Sequence, residues 1–385
     1  MIKMKKKYLL TPGPVELPQE VLSAAAKPLI SHRCEEFSQL LSGIEVKLNK
    51  LLRSEGPVVI LPSSGTGALE ALAVNFLDEK STFISVSCGT FGDRFREIAL
   101  RTKARGIFID VVPGEGVTPR LVADAVLRNE RCDVLLLTHN ETSTSVVNPI
   151  KEIAAAIPEE QRPLIFIDGV SSVGAIECFP LEWNVDGVAS ASQKGLITQP
   201  GLGFVWLSPR AWQYLEARRC PSQYFDLKMH RKELEGKLPG NPFTPPVSLY
   251  FALDCALDII LANGADKWFT ERRRYARAFS AGLEAMGFEL FVKDAEFRSP
   301  GVTAIKSPNR NTEEIRGKLR DMGVMTAAGM GGMKNELIRV AHYHDCGWME
   351  MAAILGAFFA VSGFVSSNAE DFLSKAWKMW NEYNA

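Results

Sequence analysis

From about residue 58 to residue 210, short apolar runs alternate with stretches whose apolar residues recur at helical spacing. The runs are Val58-Val59-Ile60-Leu61, Phe83-Ile84-Ser85-Val86, Ile107 to Val112, Val134 to Leu137, Leu164 to Ile167, Val185 to Ala189 and Phe204 to Leu207. Such alternation predicts a mostly parallel sheet covered by helices on both faces. Ahead of it, Phe37, Leu40, Leu41, Ile44, Leu48, Leu51 and Leu52 predict a helix across Cys34 to Arg53. Thr11-Pro12-Gly13-Pro14 excludes helix and reads as a rigid, extended arm.

The pattern changes after Pro239. Asn241-Pro242-Phe243-Thr244-Pro245-Pro246 is a loop that no central strand could contain. Helical stretches follow near 247–263 and 266–287, then a strand at Gly301 to Lys306, a helix near 312–322, a strand at Glu336 to Ala341, and helices to the end. The expected division is an arm at 1–15, a large domain at 16–259 and a smaller α/β domain at 260–385. A length of 385 residues suits two domains.

The apolar runs feed polar turns: Ser63-Ser64-Gly65-Thr66-Gly67, Cys88-Gly89-Thr90-Phe91-Gly92, His139-Asn140-Glu141-Thr142-Ser143-Thr144, Asp168-Gly169 and Ser192-Gln193-Lys194. In an open α/β sheet the carboxyl ends of the strands form the ligand crevice, so five polar turns converge on one place. The run 164–167 delivers the Asp168 carboxylate, and the next delivers the Lys194 amine. A carboxylate and an amine on neighbouring strand ends suit a pyridoxal phosphate enzyme, where lysine holds the aldehyde as a Schiff base and acid keeps the pyridine nitrogen protonated. Taken singly, a strand-end Asp is commonly a cap and a Lys commonly solvated.

Other residues carry two readings each. The Ser63–Gly67 turn opens a helix, as a phosphate cradle does and as many ordinary Gly/Ser turns do. It is neither a P-loop nor G-x-G-x-x-G. Phe91 either stacks on a flat cofactor ring or is a core aromatic opening a helix at 91–104. Arg339, inside the apolar run Leu337 to Ala341, either grips a substrate carboxylate or makes a structural ion pair. His342, His344 and Cys346 lack a second cluster, so no metal site is expected.

Composition narrows the classes. A net charge of −1 argues against nucleic acid or an anionic membrane as main partner. Seven scattered cysteines without a CxxC pair indicate a reducing, cytoplasmic setting. The basic Met1 to Lys7 segment leads into too few apolar residues for a signal peptide, and no run reaches the roughly 20 residues of a membrane span.

In this order, Ser31-His32-Arg33, Ser64 to Glu70, Glu141-Thr142-Ser143-Thr144, Asp168 to Ser172, Ser190 to Gly195, Pro200-Gly201-Leu202 and Thr244 to Ser248 closely resemble the class V aminotransferases of the type I pyridoxal phosphate fold. The alanine–glyoxylate and serine–pyruvate branch is the most similar. The resemblance implies that Lys194 is the Schiff-base lysine and proton shuttle and that Asp168 pairs with the pyridinium nitrogen. Phe91 takes the ring-stacking position, where relatives often carry Trp or Tyr. Ser64, Gly65, Thr66 and Gln193 hold the phosphate, and Ser143 lies near the phenolic oxygen. Thr244, with Asn241 nearby, matches the region that reaches the cofactor phosphate from the other subunit, which implies a homodimer with shared sites. Arg339 binds the substrate carboxylate, with Gly13 beside it.

Two stretches depart from the family pattern. Position 241 often carries Tyr in relatives, and Val340 to His344 differs from the usual small, Gly-containing run. The implied reaction is a ping-pong transamination from a small amino acid, serine or alanine, to pyruvate or glyoxylate. The alternatives are phosphoserine or aminoethylphosphonate transamination, cysteine desulfuration, or a non-catalytic subunit that keeps the fold. Desulfuration needs a mobile cysteine upstream of the carboxylate-binding arginine, and none lies between Cys255 and Cys346.

Overall fold

A computed structural model of the chain describes residues 7–307, 311–343, 347–363 and 369–382. Its centre is a seven-stranded sheet: β1 (Val58–Pro62), β2 (Thr82–Ser87), β3 (Arg105–Asp110), β4 (Val134–Thr138), β5 (Leu164–Asp168), β6 (Gly187–Ala191) and β7 (Leu202–Leu207), in the spatial order β1-β7-β6-β5-β4-β2-β3. All neighbours are parallel except β7, which runs antiparallel to both β1 and β6. The cause is the short link from Ala191 to Leu202, because a parallel return needs a crossover of a dozen or more residues. Outside β3 the apolar runs are buried, as a sheet covered by helices requires, whereas the edge strand β3 is half-exposed, with Phe108 open to solvent.

Two strands shift from their apolar runs. The run at 185–189 becomes a strand only at Gly187, because buried Asp186 stands at its start. Its Oδ2 accepts from Ile165 N–H, and its Oδ1 accepts from the Ser208 hydroxyl. The run at 107–112 pairs from Arg105 to Asp110, since Val111 and Val112 pass beyond the end of β2.

Helix Glu35–Leu52 forms where its periodicity predicted, burying Phe37, Leu41, Ile44, Leu48, Leu51 and Leu52. Helices Val247–Leu261 and Ala265–Ala285 follow the Pro-rich loop. The second of these joins two apolar clusters: Trp268 and Phe269 pack into the core around the large sheet, whereas Tyr275, Phe279 and Leu283 pack into another. That second core lies against the antiparallel strands β8 (Glu289–Leu290), β9 (Val302–Lys306), β10 (Ala327–Ala328) and β11 (Ile338–Ala341), ordered β8-β9-β11-β10.

The N-terminal arm is anchored to the C-terminal part of the chain. Tyr8–Leu9 pairs in parallel with Val324–Met325, and the Leu10 carbonyl accepts from Ala341 N–H. Leu10 is fully buried there, and this fixes where Thr11 to Gly13 can lie.

Among the described residues no single helix is long and apolar enough to cross a membrane. Cys34, Cys88, Cys132, Cys178, Cys220 and Cys255 are free thiols.

Candidate active site

β5 and β6 are adjacent, so the carboxylate at the tip of one and the amine three residues beyond the other reach the same place. Asp168 and Lys194 line one cavity of about 400 Å³ at the carboxyl ends of the strands. Both are buried. Burial pushes the Asp168 carboxyl up to about 6, against a hydrogen bond from Val170 N–H and the attraction of Lys194. Burial also brings the Lys194 amine down to about 8, with Asp168 and Glu141 opposing and Arg339 and Arg94 reinforcing. A buried amine with that proton affinity can both carry and release a proton near neutral pH.

One wall of the cavity is the start of helix Gly65–Phe76. Ser64 caps it, its hydroxyl accepting from Gly67 N–H at 3.4 Å. The first N–H groups of a helix have no acceptor within it, and the helix dipole favours an anion there. A Cβ at Gly65 would lie 2.5 Å from a Val170 methyl, so only glycine lets this turn close on the strand ends. Ser64, Gly65, Thr66 and Gln193 all line the cavity, and the buried Gln193 Oε1 has no hydrogen-bond partner.

The arm forms the opposite wall. Gly13, at φ +130°, lies so close to the lysine that a Cβ would stand 3.1 Å from Lys194 Cγ. Phe91, at the start of helix Thr90–Leu100, presents its ring to the cavity with Lys194 Nζ 4.9 Å from its centroid. Arg339, on β11, is 7% exposed. Its Nε donates to the Ala328 carbonyl at 2.7 Å and its Nη1 to the Thr142 carbonyl at 2.8 Å. These bonds fix the guanidinium plane at the cavity wall, while burial holds its proton affinity down.

Three further expected site residues do not line this cavity; for two of them, Asn241 and Thr244, the resemblance implies a place in the site of the other subunit. Ser143 is fully buried behind the cavity; its hydroxyl donates to Glu141 at 2.6 Å and accepts from Thr90 N–H. Asn241 is buried, its amide donating to the Ile60 carbonyl and accepting from the Tyr250 hydroxyl. Thr244 is exposed on the Pro-rich loop, and neither it nor Asn241 lines the cavity of its own chain. Conversely, Arg94 and Met330 line the cavity without having been singled out by the sequence. Arg94 lies one helical turn beyond Phe91, a spacing that becomes informative only once Phe91 is placed at a helix start.

No group of three His, Cys, Asp or Glu able to hold a metal occurs among the described residues. His344 and Cys346 lie outside them.

The family model described as Aminotransferase class-V matches residues 7–342. The chain belongs to that family. The "Soluble hydrogenase, small subunit" of Synechococcus sp. is 34% identical, covering 92% of this chain and 93% of its own. The serine–glyoxylate aminotransferase of Methylorubrum extorquens is 28% identical over 91% and 90%. A crystal structure of the subgroup IV aspartate aminotransferase from Thermus thermophilus superposes with a TM-score of 0.85 at 31% identity, covering 92% of this chain and 99% of that one. Class V aminotransferases work with pyridoxal phosphate, and the residues here fit that cofactor: an anion-binding helix start, a buried acid, a buried amine and an aromatic face around one cavity. The type I fold, with its mostly parallel sheet, is the architecture that the resemblance implied.

Proposed function

We propose that this transaminase passes the amino group of a small amino acid, serine or alanine, to a small 2-oxo acid, pyruvate or glyoxylate, in two half-reactions. The observation that carries this reading is the cavity itself, where Asp168, Lys194 and Arg339 stand together. The name of the Methylorubrum relative supports serine and glyoxylate.

Each residue has a part in the chemistry. Bound pyridoxal phosphate supplies an electron sink conjugated to the α-carbon of the amino acid. Ser64, Gly65, Thr66 and Gln193 would hold its phosphate, and Phe91 would offer an aromatic face to its ring. Asp168 supplies the negative charge facing the pyridine nitrogen. Arg339 offers its guanidinium to the substrate carboxylate and so sets which bond of the α-carbon stands across the ring. Lys194 Nζ would be the base that takes the α-proton of the amino acid, and its lowered proton affinity lets it both accept and release a proton near neutral pH. The arm excludes water from above the lysine.

The exposed Thr244, outside its own cavity, supports a homodimer in which each chain completes the phosphate site of the other. Free thiols and a net charge of −1 support a cytoplasmic enzyme without nucleic acid or membrane as partner.

The test is to add amino acids singly to purified, cofactor-loaded protein and follow the visible absorbance of the bound cofactor. Serine or alanine should bleach it and glyoxylate or pyruvate restore it. Protein that stays colourless with added pyridoxal phosphate supports the non-catalytic reading instead.

A further inference from the structure

The Glu141 carboxylate is fully buried and sits behind the cavity rather than in it. Its Oε2 accepts from the N–H groups of Phe91 and Gly92, each at 3.0 Å. Its Oε1 accepts from Ser143 N–H at 3.0 Å and from the Ser143 hydroxyl at 2.6 Å. That hydroxyl in turn accepts from Thr90 N–H at 3.0 Å.

Thr90, Phe91 and Gly92 are the first three residues of helix Thr90–Leu100, and its N-cap, Gly89, has no side chain with which to cap it. The turn at 141–143 therefore caps this helix from a distant part of the chain. A larger residue at position 89 is barred, because a Cβ there would lie 2.5 Å from Ser143 Oγ and 2.7 Å from Glu141 Cδ. The residue between these two caps, Thr142, gives its carbonyl to Arg339 Nη1. One tripeptide thus fixes both the aromatic platform over Lys194 and the guanidinium across from it.

We propose that Glu141 is a positioning residue that ties the cofactor-stacking face of Phe91 to the carboxylate clamp of Arg339. A carboxylate suits this place better than an amide. It meets three donors from the backbone and one from a hydroxyl, and two oxygens with about four lone-pair sites satisfy all of them. The Arg339 half of the inference rests on the reading above that this arginine grips the substrate carboxylate.

The test compares three variants as holoenzymes by cofactor dissociation constant, amino-acid KM and melting temperature. Glu141→Gln keeps the chain length but presents an amide nitrogen to one pair of donors. It should weaken cofactor binding and raise KM together, each by about tenfold, the size of one charged hydrogen bond. Phe91→Ala should move mainly the cofactor constant, and Arg339→Lys mainly KM. A Glu141→Gln protein that melts lower yet keeps both constants, or shifts only one, overturns the proposal. If Arg339→Lys leaves KM unchanged, the clamp reading beneath the proposal fails and the tie to Arg339 fails with it, while the cofactor constant of Glu141→Gln tests separately whether Glu141 holds Phe91. Should Glu141→Gln not accumulate, Ser143→Ala removes only the hydroxyl link; it should give the same paired shift, smaller in size, and unchanged constants contradict the proposal.

Discussion

The amine of Lys194 lies 4.9 Å from the centre of the Phe91 ring, on a lysine whose stem is packed against the backbone of Gly13. The amine is thereby held between an aromatic face and a glycine turn, with little freedom to leave the cavity. Replacing Lys194 with Ala removes the only buried amine in it. Turnover should fall by at least about 10³-fold, as measured by oxo-acid production, since proton transfer and covalent attachment are lost together.

Gly13 is the less obvious member of that pair. A methyl group there meets Lys194 Cγ and Cε at 3.1 and 3.2 Å, in a backbone conformation that L-residues rarely adopt. Gly13→Ala should lower the rate of cofactor attachment, measured by the growth of absorbance after mixing apoprotein with pyridoxal phosphate. Its melting temperature should fall as well, because the backbone at φ +130° strains any L-residue placed there.

The buried lysine sets a pH dependence with a definite sign. Its proton affinity lies near 8 rather than at the ordinary 10.5, with burial as the main cause and Asp168 opposing it. In apoprotein, labelling of Lys194 by an amine-selective reagent should therefore rise through about pH 8, while surface lysines respond only at higher pH. Because the native state gives up this proton first, the unfolded chain binds more protons between about 8 and 10.5. Through Lys194, stability therefore rises with pH across that window. Asp168→Asn removes the opposing attraction, so the labelling midpoint should move further down.

Arg339 is committed at Nε and Nη1 to two backbone carbonyls. Lysine has no planar fork and cannot reproduce both bonds while facing a carboxylate. Arg339→Lys should raise KM for the amino acid by about 10- to 100-fold, matching about 1.5–3 kcal/mol for a hydrogen bond to a charged group. The effect on kcat should be smaller, measured by steady-state kinetics at saturating oxo acid.

Much of this site was visible in the residues alone, for a physical reason. Strand runs end where polar chemistry begins, so Asp168, Lys194 and the Ser64–Thr66 turn announce themselves by a switch from apolar to polar. Phe91 and Arg339 each allowed two readings, and the structure puts both side chains at the cavity. Glu141 also follows a buried strand, yet its work is done through backbone N–H groups of a helix 50 positions away in sequence, and no local pattern records that. The antiparallel direction of β7 follows from a linker length rather than from its apolar residues. Asp186 shows why strand starts drift: a buried carboxylate bonded to a neighbouring strand delays the pairing.

Treating the cofactor-loaded protein with borohydride and mapping the labelled peptide tests the central assignment most directly. The account predicts a reduced pyridoxyl group on Lys194 and on no other lysine, with the absorbance lost in proportion. A label on another lysine, or a protein that binds pyridoxal phosphate yet yields no labelled peptide, contradicts it.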